Sequence, residues 1–189
     1  MNNSQSNVGV VCSMLIGIYG FGSIGRLVAK YAVMRGHDIV GVVDIDENIV
    51  GRDIGEVLGL DASYGIRVSK DPIELADAEV VFHATGSFLD KVYTQIEQLI
   101  KLGVDVVSTC ETLAYPYYRY PVLARKLDKL AVSRSVSVIG TGVNPGFVFD
   151  TLLIVLSSTL PVVEHVKAVR SLDAGKRRSS FRRKIGVGG

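Results

Sequence analysis

The stretch Met14 to Arg35, MLIGIYGFGSIGRLVAKYAVMR, decides the architecture of this 189-residue chain. A short apolar run meets Gly20-Phe21-Gly22-Ser23-Ile24-Gly25 and passes directly into a helical repeat, so the segment reads as strand, glycine turn, helix. Ile24, Leu27, Val28, Tyr31 and Ala32 recur at three- and four-residue spacing, which predicts one apolar stripe lying on a sheet, with Arg26, Lys30 and Arg35 facing away. Gly20 permits the tight turn, Gly22 lets a pyrophosphate approach the backbone without meeting a Cβ, and Gly25 allows close helix–strand contact. The N–H groups of Phe21, Ser23, Ile24 and the glycines, at the positive end of the helix dipole, would face the phosphates.

A glycine hexad by itself also occurs in ordinary turns, so its surroundings carry the reading. Asp38-Ile39-Val40-Gly41-Val42-Val43-Asp44 reads as a second buried strand, ending in a carboxylate 19 residues after Gly25, where a ribose-binding acid of a dinucleotide fold is expected. The expected fold is therefore α/β, a Rossmann-type doubly wound parallel sheet, with Asp44 accepting from the adenosine ribose hydroxyls. Ile49 to Leu60 is expected to form a short helix over the adenine side. Arg52 lies within it and could accommodate a 2′-phosphate, so Asp44 argues for NAD while Arg52 keeps NADP open.

Composition is that of an ordinary globular chain, 48% hydrophobic and 21% charged. No apolar run approaches the roughly 18 to 20 residues of a membrane span, and residues 1–13 lack the basic and apolar regions of a secretory signal, reading as a disordered leader and a cytoplasmic address. Two cysteines, Cys12 and Cys110, make no disulfide framework. The net charge of +2 hides a cluster: Lys176, Arg177, Arg178, Arg182, Arg183 and Lys184 hold six of the 21 basic residues, and without them 15 basic residues face 19 acidic ones. Such a body has no broad basic face, so nucleic acid is not an expected partner, nor is a membrane.

Further strands deliver small polar groups to one sheet edge. Gly65 to Val68 reads as a short strand and Asp71-Pro72 as a cap followed by Pro at the first helical position. Ala78 to Ala84 is a buried strand whose end, Ala84-Thr85-Gly86, would line a nicotinamide pocket before a helix over Phe88 to Leu102, or form a plain polar turn. His83, inside that strand, reads as a structural histidine, with proton transfer as the alternative. Val104 to Thr109 is a third strand that delivers Cys110-Glu111-Thr112 to the same edge. Cys110 is either an inert buried thiol or the nucleophile of an aldehyde-oxidising enzyme, and Glu111 is a candidate contact to a substrate amine. Tyr115 to Tyr120 concentrates four tyrosines that either wall a substrate cleft or pack a helix start, the helix running on to about Arg134. Val136 to Gly140 is another strand. It is followed by a Gly- and Pro-containing turn in which Asn144 could orient a carboxamide or a polar substrate group, then by an apolar helix over Thr151 to Leu160. Val162 to Ala174 reads as a long strand leaving the nucleotide domain. The expected organisation is thus a leader over 1–13, a dinucleotide-binding domain over 14–160 and the start of a second α+β substrate or dimerisation domain over 161–189.

Together, VVSTCETLAYPYYRYPVLA, GTGVNPGFVFDTL and DAGKRR, beside GFGSIG, make this chain similar to the dihydrodipicolinate reductase-like family from about residue 14 to 189. The resemblance is to those members that use NAD(P) to deaminate a diamino acid oxidatively at its C4 amine. It implies Gly20, Gly22, Gly25 and Asp44 at the dinucleotide, Thr85 and Gly86 near the nicotinamide, and Glu111 and Asn144 near the reaction centre. It also implies an amino-acid substrate, a homo-oligomer at full length, and a chain that normally continues further. Lys176 would then lie where the chain returns past the cleft and meet a substrate carboxylate or cofactor phosphate, or belong to a solvated tail. The paired-histidine segment and Pro-Ser-Gly-Thr run of dihydrodipicolinate reductases proper are missing from the sequence, which argues against that particular reduction. A semialdehyde dehydrogenase using Cys110 and a non-catalytic NAD(P)-binding module remain the competing readings.

Overall fold

The computed structural model of the chain describes residues 12–176 together with 182, 185 and 186. It divides into two compact units, Met1–Asp150 and Thr151–Gly189.

The first unit is a six-stranded sheet, parallel at every pairing, flanked by helices. Its strands are β1 Leu15–Tyr19, β2 Asp38–Val43, β3 Val68–Ser69, β4 Val80–His83, β5 Asp105–Ser108 and β6 Val138–Gly140. Their order, β3-β2-β1-β4-β5-β6, is the doubly wound order, in which strands are added to one side of β1 and then, from β4 on, to the other. Five helices join them: α1 Ser23–Met34, α2 Ile54–Leu58, α3 Leu89–Leu102, α4 Pro116–Arg119 and α5 Pro121–Arg134.

Alternation along the strands splits the core. Ile18, Val42 and Val80 pack toward Ala29 and Ile54 on one face, and Tyr19, Val43, Val81 and Val106 pack toward Leu75 and Leu99 on the other. A third cluster, including Ile96, Ile100, Leu113 and Leu127, joins α3 to α5. Fully buried aliphatic side chains of this kind each contribute roughly 1.5–3 kcal/mol.

Several local expectations shift, each for a physical reason. The buried side of α1 is Gly25, Ala29 and Ala32, whereas Leu27 and Tyr31 stay about half exposed. The smallest side chains face the sheet because the helix lies so close that a Cβ on Gly25 would sit 1.9 Å from the Gly20 carbonyl oxygen. Leu27 and Tyr31 instead border an apolar recess of about 600 Å³ that also reaches Phe82 and Val107. The helix expected over Ile49–Leu60 shrinks to α2, bounded by left-handed glycines at Gly51 and Gly59 and capped by Asp53, whose Oδ1 accepts the Gly55 N–H at 2.8 Å. The strand expected at Gly65–Val68 moves to β3, and Arg67 makes only an isolated antiparallel bridge to Asp53. Asp71 caps a 3₁₀ turn over Pro72–Leu75 as the sequence suggests.

In the second unit the expected apolar helix is α6, Leu152–Ser157, preceded by a π turn over Phe147–Thr151. The long strand expected over Val162–Ala174 does not form. Strand geometry needs a neighbour to satisfy its N–H and C=O groups, and among the described residues this segment has none, so Val162, Val166 and Val169 stand exposed. A 3₁₀ turn at Ala174–Lys176 follows.

Candidate functional site

The topological reversal places the end of β1 beside the end of β4, and the glycine turn sits over that crevice. Gly20 has φ +95°, and a Cβ there would meet the Ala84 carbonyl oxygen at 2.8 Å and the Thr85 side chain at 2.9 Å. The first glycine is therefore required by the neighbouring strand as well as by the turn. Gly22 differs: its φ is −73°, and a Cβ there would meet nothing within 4 Å. The protein's own packing does not demand glycine at this position. A ligand lying against the backbone would, which is the fit expected of a diphosphate at a helix N-terminus.

Asp44, at the end of β2, closes the turn from the other side. One carboxylate oxygen accepts the Phe21 N–H in a short hydrogen bond, and the other accepts the Asp46 N–H at 2.9 Å. The acid is thus held at the crevice by the glycine loop, where its remaining lone pairs can meet ribose hydroxyls. Phe21 itself is fully buried and its N–H is taken by Asp44, so it holds the acid in place and, against the expectation from the sequence, offers no group to a phosphate, while Ser23 is exposed and Ile24 half-buried. Arg26 does not simply face away as its helical position suggests: its Nε donates to the Phe21 carbonyl at 2.9 Å and braces the turn. Arg52 lies on the outer side, where its guanidinium donates to Glu56 at 2.8 and 3.1 Å and to the Asn48 carbonyl at 3.1 Å. In that position it is held by a carboxylate and does not reach toward Asp44.

The ends of β4 and β5 are tied to each other by polar groups dispersed through the sequence. Thr112 Oγ1 accepts the Leu89 N–H at 2.8 Å, capping α3 from a different loop, and the Thr112 N–H donates to the Ser87 carbonyl at 3.1 Å. Ser87 Oγ donates to Glu111 Oε1 at 3.1 Å, which brings the predicted nicotinamide edge, Thr85 to Ser87, onto the predicted amine contact. Beneath them lies His83, fully buried. Its Nδ1 meets Ser108 Oγ at 2.8 Å, and its Nε2 meets Gln95 Oε1 at 2.9 Å and Thr85 Oγ1 at 2.8 Å. Burial pushes this imidazole below its usual pKa, with the Gln95 contact opposing. The stability that comes from burying it neutral is fully present above about pH 6.5 and is lost progressively as the pH falls below that value. A ring without solvent contact is the structural histidine that the sequence suggests. No sequence signal marks Gln95, Ser108 or Thr112, since no local motif joins them.

Cys110 is 1% exposed, and burial pushes its thiol above the ordinary value. Its Sγ lies 3.7 Å from Thr112 Oγ1, and the negative charge of neighbouring Glu111 adds to the rise, opposing the thiolate a nucleophile needs. This corrects the nucleophile alternative: the thiol is inert packing. Brief treatment of the native protein with iodoacetamide at neutral pH is expected to add one label per chain, at exposed Cys12, and none at Cys110; mass spectrometry of the labelled peptides reads the outcome, and rapid labelling of Cys110 would contradict it.

The tyrosine stretch splits between a pocket wall, open solvent and a helix start. Tyr115 and Tyr117 border an open pocket of about 470 Å³ shared with Ala124 and Leu127 of α5 and with β6, whereas Tyr118 is 89% exposed. Tyr120 O–H donates to Asp90 at 2.8 Å and starts α5. Asn144 is exposed in the turn after β6, beyond the same end of the sheet as Glu111. The backbone of Lys176 belongs to the last 3₁₀ turn, and its side chain lies outside the described residues, as do Arg177, Arg178, Arg183 and Lys184. Among the described residues no group of His, Cys, Asp and Glu could hold a metal ion, and no helix is long and apolar enough to cross a membrane.

The chain is similar over most of its length to a curated 2,4-diaminopentanoate dehydrogenase from Acetoanaerobium sticklandii, with 32% identity over 166 residues covering 81% of this chain and 44% of that protein. Among solved structures, an amine dehydrogenase from Mycobacterium smegmatis is 31% identical, with a TM-score of 0.66, over 68% of this chain and 39% of its own. The structure of GenD2 from gentamicin A biosynthesis in complex with NAD, at 22% identity and a TM-score of 0.51, covers 74% of this chain and 37% of its own and shares the fold. The chain therefore spans less than half the length of these relatives. No protein-family model matches the sequence.

Proposed function

We propose that this chain is the nucleotide-binding part of an NAD(P)-dependent oxidoreductase acting on a CH–NH2 group, with a diamino acid such as 2,4-diaminopentanoate as substrate. One observation carries the reading above the others: Gly22 leaves open the space where a diphosphate would lie, with Asp44 held beside it, in a chain similar over most of its length to an enzyme of that chemistry. The bound dinucleotide supplies the hydride acceptor for the amine-bearing carbon. The chain's own residues supply position and polarity. Backbone N–H groups from Gly22 to Gly25 meet the diphosphate, Asp44, held by the Phe21 N–H, meets the adenosine ribose, and Ala84, Thr85 and Gly86 meet the nicotinamide end.

Glu111 is the proton acceptor for the substrate amine. It stands at the carboxyl end of β5 with Ser87 Oγ donating to it, so its carboxylate is aimed rather than free to rotate. As hydride leaves carbon, the amine nitrogen gives up its proton and an imine forms; water then adds and ammonia departs. Asn144 orients a polar substrate group or the carboxamide, and Lys176 meets a carboxylate or phosphate. Fluorescence titration with NADH tests binding, and 2,4-diaminopentanoate with NAD or NADP tests turnover. Saturable binding followed by amine-dependent reduction supports the reading; absence of binding overturns it. Binding without turnover favours the second reading, a non-catalytic NAD(P)-binding module.

NAD is the preferred cofactor. A 2′-phosphate would approach Asp44, and like charges about 4 Å apart cost about 1 kcal/mol even in water. Arg52, which could have offset this, is engaged by Glu56. NADPH is expected to bind at least about fivefold more weakly than NADH, a factor that corresponds to about 1 kcal/mol, with Asp44→Asn narrowing the gap. Equal dissociation constants in parallel titrations would remove the assignment.

A further inference from the structure

His83 is a buried titratable side chain that joins two turns of the candidate site, and no role in binding or chemistry accounts for it. Its partners fix its state. Gln95 Oε1 can only accept, so Nε2 carries the proton and donates toward Gln95 and Thr85 Oγ1. Thr85 Oγ1 in turn donates to the same Gln95 oxygen. A neutral ring then leaves Nδ1 as an acceptor, so the Ser108 hydroxyl donates to it. The Ser108 oxygen keeps a lone pair, and it accepts the Cys110 N–H at 3.1 Å. The result is a single directional chain that runs from the Cys110 N–H through Ser108 and the imidazole to Thr85 and Gln95. It begins one residue before Glu111 and ends on the turn that carries Thr85 and Gly86. His83 and Ser108 lie directly opposite each other in the β4–β5 ladder, so the ring bridges neighbouring strands at their carboxyl ends. Tyr19 closes the remaining side edge-on, with ring centres 5.6 Å apart. Among the described residues the ring's hydrogen-bond partners are all uncharged.

We propose that His83 is a positioning residue that sets the turn after β4 and the turn after β5 relative to each other, so that the nicotinamide edge at Thr85–Gly86 and the carboxylate of Glu111 face one ligand. For the ligand this rests on the dinucleotide reading above; for the coupling of the two turns it does not. Because the ring is sealed from solvent, it moves no proton to substrate. It acts through the direction of its hydrogen bonds, which an apolar ring of similar size cannot reproduce.

The 189-residue chain, labelled with ¹⁵N, decides the matter by amide exchange and ligand titration. In wild type the His83 ring is expected to give the Nε2–H tautomer pattern in its nitrogen shifts. In His83→Phe the Cys110 amide should lose at least about tenfold of its protection while Val81, inside β4, changes less than about threefold, since local opening is then separated from global unfolding. In His83→Gln the side-chain NH2 can take the place of the ring Nε2 and donate toward Gln95 and Thr85, but Oε1 then branches away from the position of Nδ1 and leaves Ser108 without its acceptor, so the variant should restore the Thr85 signal and not that of Cys110. On titration with NADH, the Phe variant should bind within about threefold of wild type, because Gly20 to Gly25 and Asp44 are untouched, but its shift changes at Thr85, Gly86 and Glu111 should fall to about half or less. Equal loss of protection at Cys110 and Val81, or unchanged NADH-induced shifts in the Phe variant, would overturn the proposal. If His83→Phe does not fold, His83→Gln decides alone: loss at Cys110 with retention at Thr85 supports the role, and uniform behaviour at both rejects it. A wild-type chain that ignores NADH would overturn the dinucleotide reading instead, and the exchange comparison would still judge the coupling.

Discussion

Gly22→Ala is expected to fold as well as wild type and to lose most of its affinity for NADH, whereas Gly25→Ala is expected to fail to fold properly. The two substitutions add the same methyl group three residues apart, and the surroundings separate them. At Gly22 the backbone is extended, with φ −73° and ψ −162°, so alanine costs nothing in strain, and the new Cβ meets no protein atom within 4 Å. Replacing glycine there can even stabilise the chain slightly by restricting its unfolded state. The methyl does occupy the space in which a diphosphate would contact the loop. A displacement that costs two of the phosphate's backbone hydrogen bonds, each about 1.5 kcal/mol or more to a charged group, weakens binding about a hundredfold. At Gly25 the same methyl would be placed 1.9 Å from the Gly20 carbonyl oxygen and 3.3 Å from Ile18, so α1 must lift from β1. Moving a helix off a packed core gives up several buried contacts at once, a loss of roughly 3 kcal/mol or more. Thermal unfolding and NADH titration of both variants measure the contrast. A Gly22→Ala chain that binds NADH like wild type would mean that nothing lies against this turn.

Those two glycines also mark how far the sequence could be read. The hexad with its flanking strand, helix and terminal acid predicts the doubly wound order because each element carries its own local period, and the six parallel strands follow that order. The same periodicity misjudged which side of α1 is buried. Of the expected stripe, Ala32 is buried, but counting Leu27 and Tyr31 with it treats size as the criterion, while a helix pressed against a strand through Gly25 selects Ala29 in their place. At the other end, VVEHVKAVRSLDA is rich in β-branched valine as a strand is, but composition specifies no partner, and none pairs with it among the described residues.

The site itself was legible where one loop suffices and illegible where several loops meet. Asp44 follows from its distance to Gly25 along the chain. The grouping of His83 with Gln95 and Ser108, or of Ser87 with Glu111 and Thr112, follows only once β4 and β5 lie side by side, because these partners are 12 to 25 residues apart. Arg52 shows the converse. Its place in the sequence leaves open a phosphate contact or a solvated charge, and the structure shows it exposed and paired with a local i,i+4 partner, Glu56.

Glu111→Gln is expected to abolish most turnover while leaving NADH binding within about twofold, in whichever form of the protein shows amine-dependent reduction of NAD. The amide preserves the size and planarity of the carboxylate and can still accept from Ser87 Oγ through its carbonyl oxygen, so the turn after β5 keeps its anchor. What disappears is the capacity to take a proton and the negative charge that draws an ammonium substrate into place. Loss of a positioned general base lowers rates by about 10²- to 10⁴-fold, and kcat/KM carries that loss as lost transition-state stabilisation. The Cys110 amide, still hydrogen-bonded to Ser108, should keep its protection, which distinguishes missing chemistry from a disordered turn. Turnover that survives the substitution unchanged would move the proton acceptor elsewhere, to another side chain or to water, and would leave Glu111 as a polar brace between the turns after β4 and β5.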